Sequence, residues 1–180
     1  MSSRAEVLVE RQPSLASSPG PGNRGLWFWI LAWIPAAIGV TVIAIESTSM
    51  LGAEHTSGWL RPYWTKFFGA VADEAWTMIH WRIRKGGHFV GYGMVGLLFF
   101  RSWYVTLRAR IAASRAGYWW RATWLAIAAT IIIATYDEMH QYFIPNRTGS
   151  PHDVLIDTCG CLVAQLILAA VYFARRERTN

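Results

Sequence analysis

The side chains able to do chemistry gather in three short stretches of an otherwise apolar chain. The first, KGGHFVGY, spaces Lys85, His88 and Tyr92 three and four residues apart. The second, YDEMHQYFIPNR, supplies Asp137, Glu138, Gln141 and Arg147, and the third, SPHDVLID, places Asp153 and Asp157 four apart. On a helix these spacings put Lys85, His88 and Tyr92 on one face, Asp137 and Gln141 on another, and Asp153 and Asp157 on a third. Lys and Arg give charged donors for a phosphate or carboxylate, while Asp, Glu and Gln accept from sugar or peptide groups. A carboxylate beside an imidazole can also move protons, so Glu138 or Asp137 is the candidate general base, with His88 as its acid or electrostatic partner.

Other chemistries find less support. No Ser or Cys nucleophile with a recognisable base is present, and Gly86–Gly87 alone does not make a phosphate-cradling loop. A divalent metal on His88, Asp137, Glu138 and Asp153 is a lesser reading, because their spacing matches no ligand motif, and no metal or other cofactor is expected. Cys159 and Cys161, two residues apart, point to different helix faces and read as packing residues. Plainer roles compete within the stretches themselves. Ser150, Pro151 and Asp153 have the pattern of a capping box, whereas Asp157, a turn further in, has no such role. His140 and His152 read as solvated loop residues, Arg101 as a snorkelling cation, and Pro145 and Gly149 as chain-turning residues.

The elements that must position these groups are apolar and long. Of 180 residues, 53% are hydrophobic and only 16% charged, more than a small soluble fold can hide, and 11 Trp, 7 Tyr and 8 Phe suit the aromatic belts of a bilayer interface. The net charge of +6 comes from basic residues scattered at the edges of apolar runs, which argues for anionic lipid and against nucleic acid. The run WFWILAWIPAAIGVTVIAI carries no charge and is long enough to cross about 30 Å of hydrocarbon. With three later runs it predicts an all-α integral membrane protein with spans at about 27–45, 87–105, 119–140 and 152–173, in an up-and-down bundle.

The flanks complete the organisation. Residues 1–25 read as a disordered cytoplasmic tail, 26–174 as the membrane domain and 175–180 as a basic cytoplasmic tail. Arginines in the leader, in the stretch from Arg108 to Arg121 and in the C-terminal tail place both termini on the cytoplasmic side of the plasma membrane. Between the first two spans, Leu60, Trp64, Phe67, Phe68 and Val71 recur at helical spacing, predicting an additional interfacial or re-entrant helix on the outer side. An up-and-down bundle then gathers the outer ends of the last three spans, and with them all three polar stretches. Intramembrane polar groups of this kind usually face a bundle interior or a water-filled cavity.

The blocks KGGHFVGYGMVGLL and DEMHQYFIPNRTGSPHDVLIDTCG resemble the two signature blocks of VanZ-like membrane proteins. The resemblance runs through Lys85, His88, Phe89 and Tyr92, then Asp137, Glu138, Gln141, Phe143, Pro145 and Arg147, then Asp153, Asp157 and Gly160. It covers roughly residues 46–173 and departs at Asp157, where the family usually has Asn. It implies a multi-spanning bacterial envelope protein, in a family whose namesake is associated with low-level resistance to teicoplanin, and it implies no particular reaction. Two functions fit: an accessory protein binding a lipid-linked glycan or other polar envelope component, or a membrane enzyme acting on such a substrate by carboxylate and histidine chemistry. The expected partners are membrane lipid and that envelope component. The expected ligand-binding set is Lys85, His88, Tyr92, Asp137, Glu138, Gln141, Arg147, Asp153 and Asp157.

Overall fold

A computed structural model describes residues 24–111, 113–145, 147 and 149–177. Most of the expected N-terminal tail and the last three residues lie outside the described residues. Five α-helices follow one another: α1 Leu26–Glu46, α2 Ala53–Phe68, α3 Asp73–Arg110, α4 Arg115–Tyr142 and α5 Pro151–Glu177, with a short 3-10 turn at Ser49–Leu51 and no strand among the described residues. The all-α class is as expected. α3 packs along α1, α4 and α5, while α2 touches the bundle only through the start of α3 and the turn before it.

Each bundle helix buries a stripe at helical spacing. On α4 the stripe runs Ala122, Ala126, Thr130, Ala134, then Asp137, Glu138 and Gln141, small residues giving way to polar ones at one end. On α5 it runs Asp153, Asp157, Cys161 and Gln165, and on α3 Tyr92, Val95, Phe99 and Ser102. The far end is packed by aromatic rings, with Trp119 stacked on Tyr172 at 4.3 Å between centroids and Phe100 edge-on to Trp119 at 4.7 Å. Between the two ends, α3 and α5 come into near backbone contact. A Cβ on Gly160 would lie 2.0 Å from the Phe89 carbonyl oxygen, so only glycine permits this seam.

Pro35 lacks the N–H that would bond the Leu31 carbonyl inside α1. Arg101 donates to the Leu31 and Ala32 carbonyls at 3.3 and 3.1 Å, and Ser102 donates to Ala32 at 2.8 Å. The arginine expected only to snorkel therefore also repairs the helix that proline interrupts.

The outward faces of the bundle are apolar: Leu31, Ile38, Trp124, Ile132, Leu166 and Ile167 are all at least 58% exposed. Water would penalise a continuous surface of that kind, whereas hydrocarbon would not. By length and composition two helical stretches suffice to cross a membrane, Leu26–Glu46 and Pro151–Arg175. The segments expected to span on α3 and α4 do not pass the same test, because the glycines, histidine, tyrosines and tryptophans that serve packing and the polar end dilute their hydropathy.

α3 has 38 residues and so runs about 57 Å, well beyond a hydrocarbon core. Its first turns form an extension that holds α2. Asp73 accepts from Arg61 at 2.5 Å, Trp76 donates to the Ser57 hydroxyl at 2.7 Å, and His80 pairs with Thr56 at 3.0 Å. The expected extra helix is therefore present but docks through polar residues. Of its predicted apolar face Trp64 packs against Trp76 of α3, while Phe67 and Phe68 are more than 70% exposed and Val71 lies past the helix end.

Candidate functional site

The polar ends of α3, α4 and α5 meet at one end of the bundle, and α2 with the turn before it covers one side. A cavity of about 310 Å³ opens there, lined by His80, Arg84, Lys85, His88, Arg147 and Asp153 among others. Three of these are permanent or near-permanent cations, which makes the cavity suited to an anion.

Behind its wall the polar groups divide into two sets. In the first, Asp137 accepts from the Tyr92 hydroxyl and from the Gln141 amide, both at 3.0 Å, and all three side chains are buried. The single oxygen Oδ2 takes both bonds, so Asp137 acts as the acceptor around which α3 and α4 are pinned. The second set is open. Asp157 is completely buried, yet neither carboxylate oxygen has a hydrogen-bond partner. His88 Nδ1 approaches it at 3.3 Å without hydrogen-bond geometry, and Glu138 Oε1 is likewise buried and unbonded.

Glu138 divides its two oxygens between roles. Oε2 accepts from the Ser150 backbone N–H at 2.8 Å, bringing the start of α5 against the end of α4, and Oε1 is left to the site. The approach is close: a Cβ on Gly149 would fall 2.1 Å from the Glu138 carbonyl oxygen. The capping box expected of Ser150 and Asp153 is thus rearranged. Glu138 takes the donor that Asp153 was expected to serve, Ser150 Oγ accepts from His152 N at 3.2 Å, and the Asp153 carboxylate forms an ion pair with Lys85. That ion pair, made through Asp153 Oδ1, links α3 to α5.

Arg147 also has a local task. Its Nη2 donates to the carbonyls of Glu46 and Thr48 just past the last turn of α1, where unpaired carbonyls and the helix dipole favour a cation. Its Nε is buried without a partner while the residue lines the cavity. Burial pushes the Arg147 guanidinium below its ordinary pKa, with nearby Arg84 acting in the same direction and Asp137 and Glu138 opposing. Burial lowers that of Arg84 too, against the attraction of Asp153 and Glu138. An arginine guanidinium lowered in this way still keeps its charge at neutral pH.

Arg84 was missed by sequence reading, which began the polar face at Lys85. The signal was there: His80, Arg84 and His88 are four apart and share a helix face. Among described residues Arg84 makes no hydrogen bond or ion pair, so its fork of donors is the one most available to a ligand. His80, half of the clasp with α2, also faces the cavity, and burial followed by the charge of Arg84 holds its imidazole below the usual histidine value.

The predicted set therefore comes together at one end, in different roles. Lys85, His88, Gln141, Arg147 and Asp153 line the cavity. Tyr92 and Asp137 are tied into the closed network behind it, and Glu138 and Asp157 form the open set with His88. The metal quartet expected from spacing does not assemble as such, since Asp137 is consumed by Tyr92 and Gln141 and Asp153 by Lys85. His140 is tied to the buried Ser47 hydroxyl at 3.3 Å, whereas His152 is exposed with its Nδ1 3.8 Å from the Asp153 carboxylate.

This end of the bundle is built from the two blocks that carried the family resemblance, and the VanZ/LLP1 family profile matches residues 26–172. The chain belongs to the VanZ/LLP1 family. No curated protein and no solved structure matches it. The VanZ/LLP1 match begins with α1 and ends within α5, so it takes in every element that shapes the cavity, α2 included.

Proposed function

We propose that this VanZ/LLP1 protein crosses the bacterial plasma membrane four times, through α1, α3, α4 and α5, and binds an anionic lipid-linked glycan or related envelope component at its outer polar end without consuming it. The observation that carries the reading is the cavity where Arg84, Lys85 and Arg147 converge at the edge of an apolar bundle. A phosphate-bearing headgroup matches the two arginines, with Lys85 beside them paired to Asp153, sugar hydroxyls match Gln141 and the carboxylates, and the apolar flanks suit the chains that anchor such a lipid. Membrane lipid is the standing partner of those flanks. The arginine bias supports cytoplasmic termini and a cytoplasmic connection from Arg108 to Arg121. Labelling intact cells at Ser150→Cys but not at Ser114→Cys is expected; the reverse pattern would sink the orientation.

An enzyme is the second reading, favoured by one observation: Glu138 keeps a buried, unbonded carboxylate oxygen close to His88. A general base needs such a free oxygen. Against it, no described side chain beside Glu138 is placed as a nucleophile, so water would have to attack. Mass spectrometry of a lipid-linked glycan incubated with purified protein separates the two. Binding with unchanged lipid is the expected result. A product that forms with wild type and vanishes in Glu138→Gln would replace the accessory reading with catalysis. Any link to glycopeptide resistance belongs to the family's namesake and is tested only by susceptibility of cells with and without this protein.

A further inference from the structure

His88, Glu138 and Asp157 each offer one ligand atom, and these atoms lie within 4.8 Å of one another. They come from three helices, α3, α4 and α5, whose spacing is fixed by the glycine seam at Gly160 and by the bond from Glu138 to Ser150. The neighbouring carboxylates already have partners: Asp153 has Lys85, and Asp137 has Tyr92 and Gln141. What is left over is one imidazole nitrogen and three carboxylate oxygens, all buried and none hydrogen-bonded. Asp157 is 0% exposed and Glu138 4%. Two buried carboxylates aimed at one point repel each other, and an unpaired buried charge is costly unless a cation compensates it.

We propose that His88, Glu138 and Asp157 hold a divalent transition-metal ion of the zinc or manganese class at the floor of the cationic cavity. A neutral imidazole with two carboxylates suits these metals, while Mg²⁺ and Ca²⁺ are normally held by oxygen ligands alone. One divalent ion neutralises the two carboxylates. Zinc–ligand bonds of about 2.0–2.2 Å require the three atoms to draw somewhat closer, a movement within reach of side-chain rotation. Three protein ligands leave a coordination position open, as in catalytic rather than structural sites. Asp157→Asn keeps the size and shape of the side chain while replacing a charged ligand with a neutral one, and is expected to fold.

The test uses the full chain in detergent, stripped with chelator, desalted and titrated calorimetrically with Zn²⁺ and, separately, Mn²⁺. The expected result is saturable binding of one equivalent, weakened at least tenfold by Asp157→Asn and by Glu138→Gln, which keeps an acceptor for Ser150. Zinc-edge X-ray absorption of the wild type is expected to show a single imidazole with oxygen ligands. Absence of one-equivalent binding, undiminished binding in both variants, or a shell of two or more imidazoles would overturn the proposal. Because the probe is the metal alone, its failure would leave the anion-binding reading standing, and failure of glycan binding would leave the metal site standing.

Discussion

Two polar groups of residues sit side by side in the same three helices and differ in what they have left over. Around Asp137, donors and acceptor match: Tyr92 and Gln141 both point at one oxygen, and nothing there asks for a ligand. Around Asp157, acceptors outnumber donors, with three carboxylate oxygens facing a single histidine nitrogen. Burial is similar in the two places, so burial does not tell them apart. The balance of donors against acceptors does: a balanced buried network fixes structure, and an unbalanced one implies something that arrives from outside.

The largest expected effect breaks the closed side of this comparison. Asp137→Ala strands a buried phenol and a buried amide, each worth about 1–3 kcal/mol when left unpaired, so a loss of roughly 2–6 kcal/mol is expected. It should appear as low yield and a lower unfolding temperature in detergent. Asp157→Asn, one step away, is expected to lose little or no stability in the presence of chelator, since it removes an uncompensated carboxylate rather than an acceptor in use. If Asp157→Asn cost as much as Asp137→Ala under those conditions, the division into a closed and an open group would fail.

Sequence reading located the right end of the bundle and most of its residues because the relevant signal is local. A spacing of three or four on one helix is visible without knowing the fold, and Lys85, His88, Asp153 and Asp157 all carry it. What stayed hidden were pairings across helices. Nothing in the sequence couples Lys85 to Asp153, 68 residues away, or shows Glu138 reaching Ser150 in place of Asp153. These pairings decided which carboxylates were consumed and which were free, and so which metal set was plausible. The extra helix was read from its apolar residues, yet it docks through Thr56, Ser57 and Arg61, because single hydrogen bonds to an extension of α3 leave no periodic trace. The length of α3 was likewise hidden, since its first turns carry ordinary mixed polarity. Arg84 was lost for a simpler reason: the polar face was started one residue too late.

The central claim is that the cavity holds an anionic envelope component, and Arg84 tests it most directly because it lines the cavity and makes no hydrogen bond or ion pair among the described residues. The measurement is the affinity of purified protein for an anionic lipid-linked glycan in micelles, against an uncharged lipid of the same chain length, for wild type and Arg84→Ala. The account predicts saturable binding of the anionic lipid only, weakened about tenfold or more in Arg84→Ala, a loss of about 1.4 kcal/mol or more, with the unfolding temperature unchanged. Equal binding of charged and uncharged lipids, or full affinity retained in Arg84→Ala, would contradict it.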